Sequence, residues 1–143
     1  MTTQKLKNIG LLTSGGDSPG MNAAIRAIVR TALHHDIVPM GIMNGHQGMI
    51  EGQIRELKTT DVSNIIQRGG TILKTARSKE FMEYEGRQKA YETLMAHDID
   101  GCIAIGGNGT YTGAMKFGEE FNMPMIGLPG TIDNDIFGAD YTI

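Results

Sequence analysis

Two aspartates, Asp133 and Asp135, stand two residues apart in the segment Pro129-Gly130-Thr131-Ile132-Asp133-Asn134-Asp135. The segment follows a short apolar run, which is typical of a buried strand and the loop after it. In an extended stretch, side chains two residues apart point to the same face. Asp133 can then accept a proton from a substrate hydroxyl, while Asp135 lies near a metal ion or orients the loop. Turns also prefer Asp and Asn, so a turn without chemistry is the alternative.

Two glycine-rich segments also follow apolar runs: Gly15-Gly16-Asp17-Ser18-Pro19-Gly20 and Gly106-Gly107-Asn108-Gly109-Thr110. Glycine lets the backbone approach a phosphate closely, and the start of a helix offers free N–H groups to an anion. The first segment matches neither the Walker pattern nor the Rossmann fingerprint. Two such loops in one sheet favour a single polyanionic ligand held between them. Two unrelated turns are the alternative.

The elements that must position these loops alternate along the chain. Apolar runs predict strands at 8–12, 37–43, 100–105 and 124–128, and a short extended run at 71–73. The first predicted helix has Ser18 as its N-cap and Pro19 as its first residue, and it ends at about His34. Further helices are predicted from Asp61 to about Arg68 and over about 85–97 and 111–121. Residues 44–52 are predicted to form a loop. This pattern predicts an α/β fold: a doubly wound, mostly parallel sheet with helices on both faces, a three-layer αβα arrangement. The three loops then lie at the carboxyl ends of the strands, where such sheets bind ligands.

Composition narrows the class of protein. The chain has 143 residues, a net charge of −3 and a pI of about 5.8, so no basic surface for nucleic acid is expected. A single cysteine, Cys102, excludes a disulfide within the chain and fits a reducing cytoplasm. No apolar stretch approaches the roughly 20 residues of a membrane helix, and the first residues contain no signal core. We expect one cytoplasmic domain over 1–143, with a truncated sheet because the sequence to Ile143 contains no stop signal.

Four segments together resemble the bacterial, ATP-dependent 6-phosphofructokinase family in order and approximate spacing: 11–24, Gly69-Gly70-Thr71 with Ala76-Arg77, 106–110 and 127–135. The likeness runs from about Asn8 to Ile143. It implies the N-terminal, nucleotide-binding part of a glycolytic enzyme that transfers the γ-phosphoryl group of MgATP to the 1-hydroxyl of fructose 6-phosphate. It also implies that a second, sugar-phosphate domain is absent from this chain, and that the complete enzyme is a homotetramer.

The resemblance assigns roles to individual residues. Asp133 is implied as the base, Thr131 lies beside the transferring phosphoryl group, and the Gly16 N–H and Arg77 meet the charge on its oxygens. The nucleotide contacts implied are Gly16, Arg77, Ser78, Gly107, Asn108, Gly109 and Thr110, and the substrate contacts are Thr131, Ile132 and Asp133. Asn108 replaces the aspartate that helps to hold Mg²⁺ in the family, and Asp135 is a further possible metal ligand. An amide oxygen contributes no charge, so magnesium binding is expected to weaken.

Four positions bear on how the nucleotide is bound. Glycine at Gly109 and Gly130 leaves room for the α-phosphate of ATP, whereas pyrophosphate-dependent members carry bulkier residues there; a plain turn glycine is the alternative for Gly130. His46 stands where many members place a tyrosine near the adenine. Lys74 replaces a small residue and either reaches a phosphate or is solvated.

Arg26 and Arg30 match arginines that bind phosphorylated, ADP-like effectors in bacterial members. A solvated helix face is the alternative. Lys58 and Thr59 stand where an arginine is frequent, which leaves the effector open. The competing functions are a truncated or inactive nucleotide-binding fragment and, less favoured, a pyrophosphate-dependent kinase.

Overall fold

The computed structural model describes residues 5–143, which form a five-stranded sheet in the order β3-β2-β1-β4-β5. The strands are β1 (Asn8–Thr13), β2 (Val38–Ile42), β3 (Ile54–Glu56), β4 (Gly101–Gly106) and β5 (Met125–Pro129). Strands β2, β1, β4 and β5 are parallel, and only β3 runs antiparallel to its neighbour. The chain passes from β1 to β2 on one side and returns to β4 on the other. The strand order therefore reverses between β1 and β4, which is where doubly wound sheets bind ligands.

Helices cover both faces of this sheet. They are α1 (Met21–His34), α2 (Gly45–Glu51), α3 (Tyr84–Ala96) and α4 (Asn108–Phe121), with 3-10 helices at Thr59–Val62 and Glu80–Met82. Neighbouring residues of β1 point to opposite faces, so Leu11 packs in the core beneath α1 and Leu12 in the core beneath α2, α3 and α4. The predicted α/β class, with a mostly parallel sheet between two helical layers, is confirmed.

Register brings three strand ends level with one another. Thr13 of β1 pairs with Ile105 of β4, and Gly106 pairs with Pro129 of β5. The loops after β1, β4 and β5 therefore leave the sheet side by side. Among residues 5–143, no helix is both long and apolar enough to cross a membrane.

The predicted loop at 44–52 is wrong, because these residues form α2. Asn44 precedes the helix and Gly45 begins it, with left-handed φ values of 58° and 59°, and Gly52 follows its last residue with a φ of 75°. Two of the three glycines thus delimit a short helix, as glycine does at helix ends. The antiparallel edge strand β3 was not predicted.

Two other segments differ from the prediction. The helix predicted from Asp61 to Arg68 is only the 3-10 helix Thr59–Val62, in which the Asp61 carboxylate accepts a hydrogen bond of 2.7 Å from the Lys58 N–H. The extended run predicted at 71–73 is a turn, closed by a hydrogen bond of 3.2 Å from the Lys74 N–H to the Thr71 carbonyl.

The start of α1 also lies further along the chain than predicted. The helix begins at Met21, whose N–H donates to the Ser18 carbonyl at 3.2 Å. Pro19 therefore precedes the helix, and the Ser18 hydroxyl is buried without a hydrogen-bond partner. The prediction of Ser18 as N-cap, with Pro19 as first helical residue, is wrong.

Candidate functional site

A cleft of about 890 Å³ opens at the carboxyl ends of β1, β4 and β5. The residues predicted to act in catalysis or to contact the nucleotide all line it: Gly16, Arg77, Ser78, Gly107, Asn108, Gly109, Thr110, Thr131 and Asp133. Asp135 and Gly130 line it as well. Ile132, predicted to contact the substrate, does not; its side chain is 76% exposed outside the cleft lining.

Close backbone contacts hold the three loops together. The Ser14 N–H donates to the Ile105 carbonyl at 3.0 Å, and the Gly130 N–H donates to the Gly106 carbonyl at 2.9 Å. A Cβ at Gly106 would lie 2.6 Å from the Ser14 carbonyl oxygen and would collide with the Thr110 hydroxyl. Glycine is therefore required where the loops after β1 and β4 meet.

Helix α4 directs its N-terminal end into this cleft. The helix begins at Asn108, and its first intrahelical bond runs from the Tyr111 N–H to the Gly107 carbonyl at 3.1 Å. The backbone N–H groups of the first turn are therefore free of intrahelical partners. Together with the positive end of the helix dipole, these N–H groups are suited to bind an anion. A Cβ at Gly109 would meet no atom within 4 Å, so this side of the cleft is open.

The segment that carries the two aspartates is a turn and is not extended. Residues 132–133 form the turn, Asn134 has a φ of 47°, and the Asp133 N–H donates to the Thr131 hydroxyl at 3.2 Å. The condition of an extended stretch is therefore not met, and the segment is the turn that was considered as the alternative. The turn nevertheless leaves Asp133 and Asp135 in the same cleft.

The oxygen atoms in the cleft suit a magnesium ion that is shared with phosphates. Mg²⁺ is usually held by one or two carboxylates together with substrate phosphates. Asp133 and Asp135 supply carboxylates, and the Asn108 Nδ2 donates to the Asp135 carbonyl at 3.3 Å, which leaves the Asn108 Oδ1 as an acceptor. Within the described part of the chain, no three His, Cys, Asp or Glu side chains form a metal-binding group. The residues therefore fit a metal that arrives with a phosphate ligand.

Arg77 reaches the cleft from a segment without regular structure. Hydrogen bonds from β1 hold that segment: the Thr13 hydroxyl donates to the Lys74 carbonyl at 2.9 Å and lies 2.9 Å from the Thr71 hydroxyl. Lys74 itself is exposed, has a φ of 60° and does not line the cleft.

Ser78 and His46 lie on the part of the cleft wall formed by α2 and the 3-10 helix at 80–82. The Ser78 hydroxyl donates to the Gln47 Oε1 at 2.6 Å and accepts from the Phe81 N–H at 3.1 Å, so its bonds support the protein wall. The His46 ring is 8% exposed and stacks on Phe81 with ring centroids 4.2 Å apart. Burial lowers the pKa of His46 from 6.5 to about 4.

Sequence reasoning missed Lys79, Met82 and Arg87. Lys79 and Met82 line the cleft, and their signal was their closeness in sequence to Ser78, which Lys79 follows directly and Met82 follows by four residues. Arg87 is 4% exposed beneath this wall.

The Arg87 guanidinium bonds to both carboxylate oxygens of Glu120, at 2.6 and 2.9 Å. It also donates to the carbonyls of Phe81 and Met82, at 3.0 and 2.6 Å. These bonds join α3, α4 and the 3-10 helix, so Arg87 fixes the turn on which His46 rests.

The arginines predicted to bind an effector lie on α1, outside the lining of the cleft. Arg26 is half-buried and donates to the Val62 carbonyl at 2.8 Å, whereas Arg30 is exposed one turn further along. Arg26 thus has a structural partner in addition to its predicted ligand.

Known proteins share this arrangement. A family model described as Phosphofructokinase matches residues 8–143. The chain is 57% identical over 138 residues to "ATP-dependent 6-phosphofructokinase 2" of Bacteroides thetaiotaomicron and 59% identical over 138 residues to "ATP-dependent 6-phosphofructokinase 1" of Thermus thermophilus. These alignments cover 96% of this chain but only 42% and 43% of the two relatives. The crystal structure of Pichia pastoris phosphofructokinase in the T-state superposes with a TM-score of 0.93 at 38% identity, over 98% of this chain and 17% of that one.

Proposed function

Because this chain belongs to the phosphofructokinase family, we propose that it supplies the nucleotide-binding half of an enzyme that transfers a phosphoryl group from MgATP to the 1-hydroxyl of fructose 6-phosphate. The observation that carries this proposal is the single cleft at the β1–β4 switch point, which gathers both glycine loops, Arg77 and two carboxylates. The chain spans 42–43% of the length of the two curated relatives, so the sugar-binding half belongs to the proposal for the complete enzyme.

The arrangement of the cleft supports separate roles for its residues in phosphoryl transfer. Asp133 accepts the proton of the attacking hydroxyl, and Thr131 holds the turn that carries it through the hydrogen bond to the Asp133 N–H. The Gly16 N–H and the Arg77 guanidinium meet the negative charge on the transferring group. Gly107, with the free N–H groups at the start of α4, binds the remaining phosphates.

We expect Mg²⁺ to bind to the cleft together with the nucleotide. When bound, Mg²⁺ neutralises charge on the phosphate oxygens. The residues that would hold it are Asp135 and the Asn108 Oδ1, which the hydrogen bond from the Asn108 Nδ2 to the Asp135 carbonyl keeps close together in the cleft. Since Asn108 contributes no charge, we expect the metal to bind chiefly as MgATP.

ATP is favoured over pyrophosphate as the donor. Gly109 faces open space in the cleft, where a larger side chain would occupy the volume beside the phosphates. Gly130 has a different environment, because a Cβ there would lie 2.8 Å from the Ile105 Cγ2 in the core. Packing alone therefore explains Gly130, and the preference for ATP rests on Gly109 and on the relatives, whose names specify ATP.

The second candidate is a nucleotide-binding fragment without transfer activity. It is favoured by the coverage of the relatives, since the alignments span only 42% and 43% of their lengths. The assignment of Arg26 and Arg30 to an effector phosphate, a homotetrameric state and a cytoplasmic location remain predictions for the complete enzyme.

Titration calorimetry of this chain with MgATP tests the nucleotide site, with Arg77→Met as the variant expected to weaken binding by about tenfold. In the complete enzyme, Asp133→Asn should lower turnover about 10²- to 10⁴-fold with little change in MgATP affinity. Asp140→Asn is the matched control, because Asp140 is an exposed aspartate of the same segment outside the cleft lining. A folded chain that does not bind MgATP would refute the proposal, whereas binding without turnover in the complete enzyme would favour the second candidate.

A further inference from the structure

The chain contains two Asn-Gly pairs, Asn44-Gly45 and Asn108-Gly109, and their surroundings differ. Asparagine reacts with the backbone most readily when glycine follows it, because glycine has no side chain to obstruct the nitrogen of the next peptide bond. Asn108 and Gly109 are both exposed, and a Cβ at Gly109 would meet no atom within 4 Å. Asn44 is half-buried and Gly45 is buried, where a Cβ would lie 3.0 Å from the Thr13 carbonyl oxygen. The pair at the start of α4 is therefore the one that is open to solvent at both residues.

Hydrogen bonds also hold the two asparagines differently. The Asn44 N–H donates to the Leu73 carbonyl at 2.8 Å, and the Asn44 Nδ2 donates to the Gln53 Oε1 at 2.6 Å. The Asn108 Nδ2 makes a longer hydrogen bond, of 3.3 Å, to the Asp135 carbonyl. Since hydrogen bonds weaken as the distance between donor and acceptor grows, the Asn108 side chain is held less firmly than that of Asn44.

The place of Asn108 at the start of α4 permits the rearrangement that such a reaction needs. The Asn108 Cγ must approach the Gly109 nitrogen, so the backbone at Asn108 must leave the helical conformation. Helix ends open at a low free-energy cost, and the N–H groups of the first turn have no intrahelical partner to lose. Opening this end releases the Asn108 carbonyl from Thr112, whose hydroxyl donates to it at 3.0 Å. Fraying of a single turn thus brings Asn108 to the reactive conformation.

We propose that Asn108-Gly109 is a site of spontaneous deamidation in the wall of the cleft, and that a phosphate ligand on the first turn of α4 suppresses the reaction. The Gly109 nitrogen loses its proton and forms a bond to the Asn108 Cγ, and the side-chain nitrogen leaves as ammonia. Water then opens the resulting succinimide ring at either of its carbonyls, which gives aspartate or isoaspartate at position 108. The sum of these steps consumes one water, releases one ammonia and changes no oxidation state.

Either product changes the cleft beside the phosphate-binding turn. Aspartate adds a carboxylate close to Asp135, and carboxylates are the protein ligands that Mg²⁺ usually takes. Isoaspartate routes the backbone through the side chain, which lengthens it by a methylene group within the first turn of α4 and displaces the N–H groups there. The suppression rests on the proposed function: a phosphate bound to these N–H groups holds Gly109 in the helix and keeps its nitrogen away from the Asn108 Cγ.

Peptide mapping by mass spectrometry measures the reaction after incubation in warm, mildly alkaline buffer. Trypsin cleaves after Lys89 and Lys116 on either side of one Asn-Gly pair, and after Arg30 and Arg55 on either side of the other, so each peptide contains a single asparagine. Exchange of the amide NH₂ for OH raises the mass of the peptide, and chromatography separates isoaspartate from aspartate. Asn44-Gly45 is thus a matched control within the same molecule.

In the folded chain, Asn108 should deamidate at least about tenfold faster than Asn44, because local opening is easier at the start of α4. In concentrated urea the two rates should become similar, since each residue then precedes glycine in an unfolded chain. MgATP at about 100 times its dissociation constant should slow the reaction of Asn108 at least about tenfold, and magnesium tripolyphosphate should also slow it, because it carries the phosphates alone. Asn108→Gln should abolish the reaction at this position and leave the rate at Asn44 unchanged, since glutamine closes the larger ring slowly.

The other outcomes separate this proposal from the proposed function. Equal rates at Asn108 and Asn44 in the folded chain would overturn the proposal, as would an intact Asn108 after a period in which the chain in urea reacts completely. MgATP that binds by calorimetry without slowing the reaction would overturn the suppression, because the phosphates would then lie away from the first turn of α4. A chain that deamidates at Asn108 but binds neither phosphate ligand would refute the proposed function and leave the modification site standing.

Discussion

Acidification should destabilise this chain through His46. An unfolded histidine has a pKa of 6.5, whereas burial lowers the pKa of His46 to about 4 in the folded chain. Between these values the unfolded chain binds a proton that the folded chain excludes. The stabilisation is therefore complete above pH 6.5 and is lost progressively as the pH falls toward 4.

The size of the effect follows from the two pKa values. A difference of about 2.5 pKa units corresponds to about 3 kcal/mol of unfolding free energy once the pH is below both. At pH 5 the folded ring is still mostly neutral, and the loss relative to pH 7.5 is about 2 kcal/mol. His46 is 8% exposed, so solvent screening reduces this value little.

Urea unfolding followed by circular dichroism at pH 7.5, 6 and 5 measures this change. The wild type should lose about 2 kcal/mol more than His46→Phe between pH 7.5 and 5. Hydrogen bonds lower the pKa values of Asp61 and Glu120, so these carboxylates also lose stabilising bonds in acid, but they do so equally in both proteins. If the two proteins lose the same free energy, the imidazole accepts a proton in the folded state, and burial does not lower its pKa as argued.

Four other substitutions test the walls of the cleft. Arg87→Met should lower the free energy of unfolding, measured in urea, by about 2–3 kcal/mol. This is less than the cost of breaking a fully buried ion pair, because Glu120 is partly exposed. Glu120→Gln should lower it less, because the amide oxygen still accepts a hydrogen bond from Arg87. Gly106→Ala should cost about 1–3 kcal/mol in the same assay and weaken MgATP binding, because its Cβ separates the loops after β1 and β4. Gly109→Asp should leave the melting temperature unchanged, since its side chain enters open space, but weaken MgATP binding about tenfold by calorimetry through repulsion of phosphate. Asp133→Asn, in contrast, should leave MgATP binding nearly unchanged.

The sheet and the phosphate loops could be predicted because they depend on local signals. Continuous apolar runs such as that ending at Ile105 are typical of buried parallel strands, and the glycines that follow them mark the turns. Once the strands are parallel, the loops after them must share one edge of the sheet. The convergence of Gly16, Gly107 and Asp133 in one cleft was therefore available from sequence alone.

The glycines of α2 led to the wrong prediction of a loop at 44–52. Gly48 lies inside α2, and only glycine fits there, because a Cβ would collide with the Met43 carbonyl. This glycine therefore permits a close approach of two backbone segments. Gly45 and Gly52 lie at the two ends with left-handed φ values. Three glycines in eight residues resemble a loop in composition, and only the tertiary contacts distinguish the two cases. Strand β3 was missed for a related reason, because Ile54-Arg55-Glu56 is too short and too polar to show a strand pattern.

The position of Arg77 in the cleft was predicted only by the family resemblance, because side-chain hydrogen bonds determine it and the pattern of its own segment does not. Asn22 is buried on α1, where it donates to the Arg68 carbonyl at 3.0 Å and accepts from the Ile72 N–H at 2.8 Å. With Thr13 on β1, it attaches the irregular segment before Arg77 to the strand and helix that form the first phosphate loop. In the sequence Asn22 is one more polar residue on a helix, and no periodicity distinguishes it from a solvated one. The arginine and the glycine loop are thus joined through a buried amide, so movement of α1 would displace both sides of the phosphate site together.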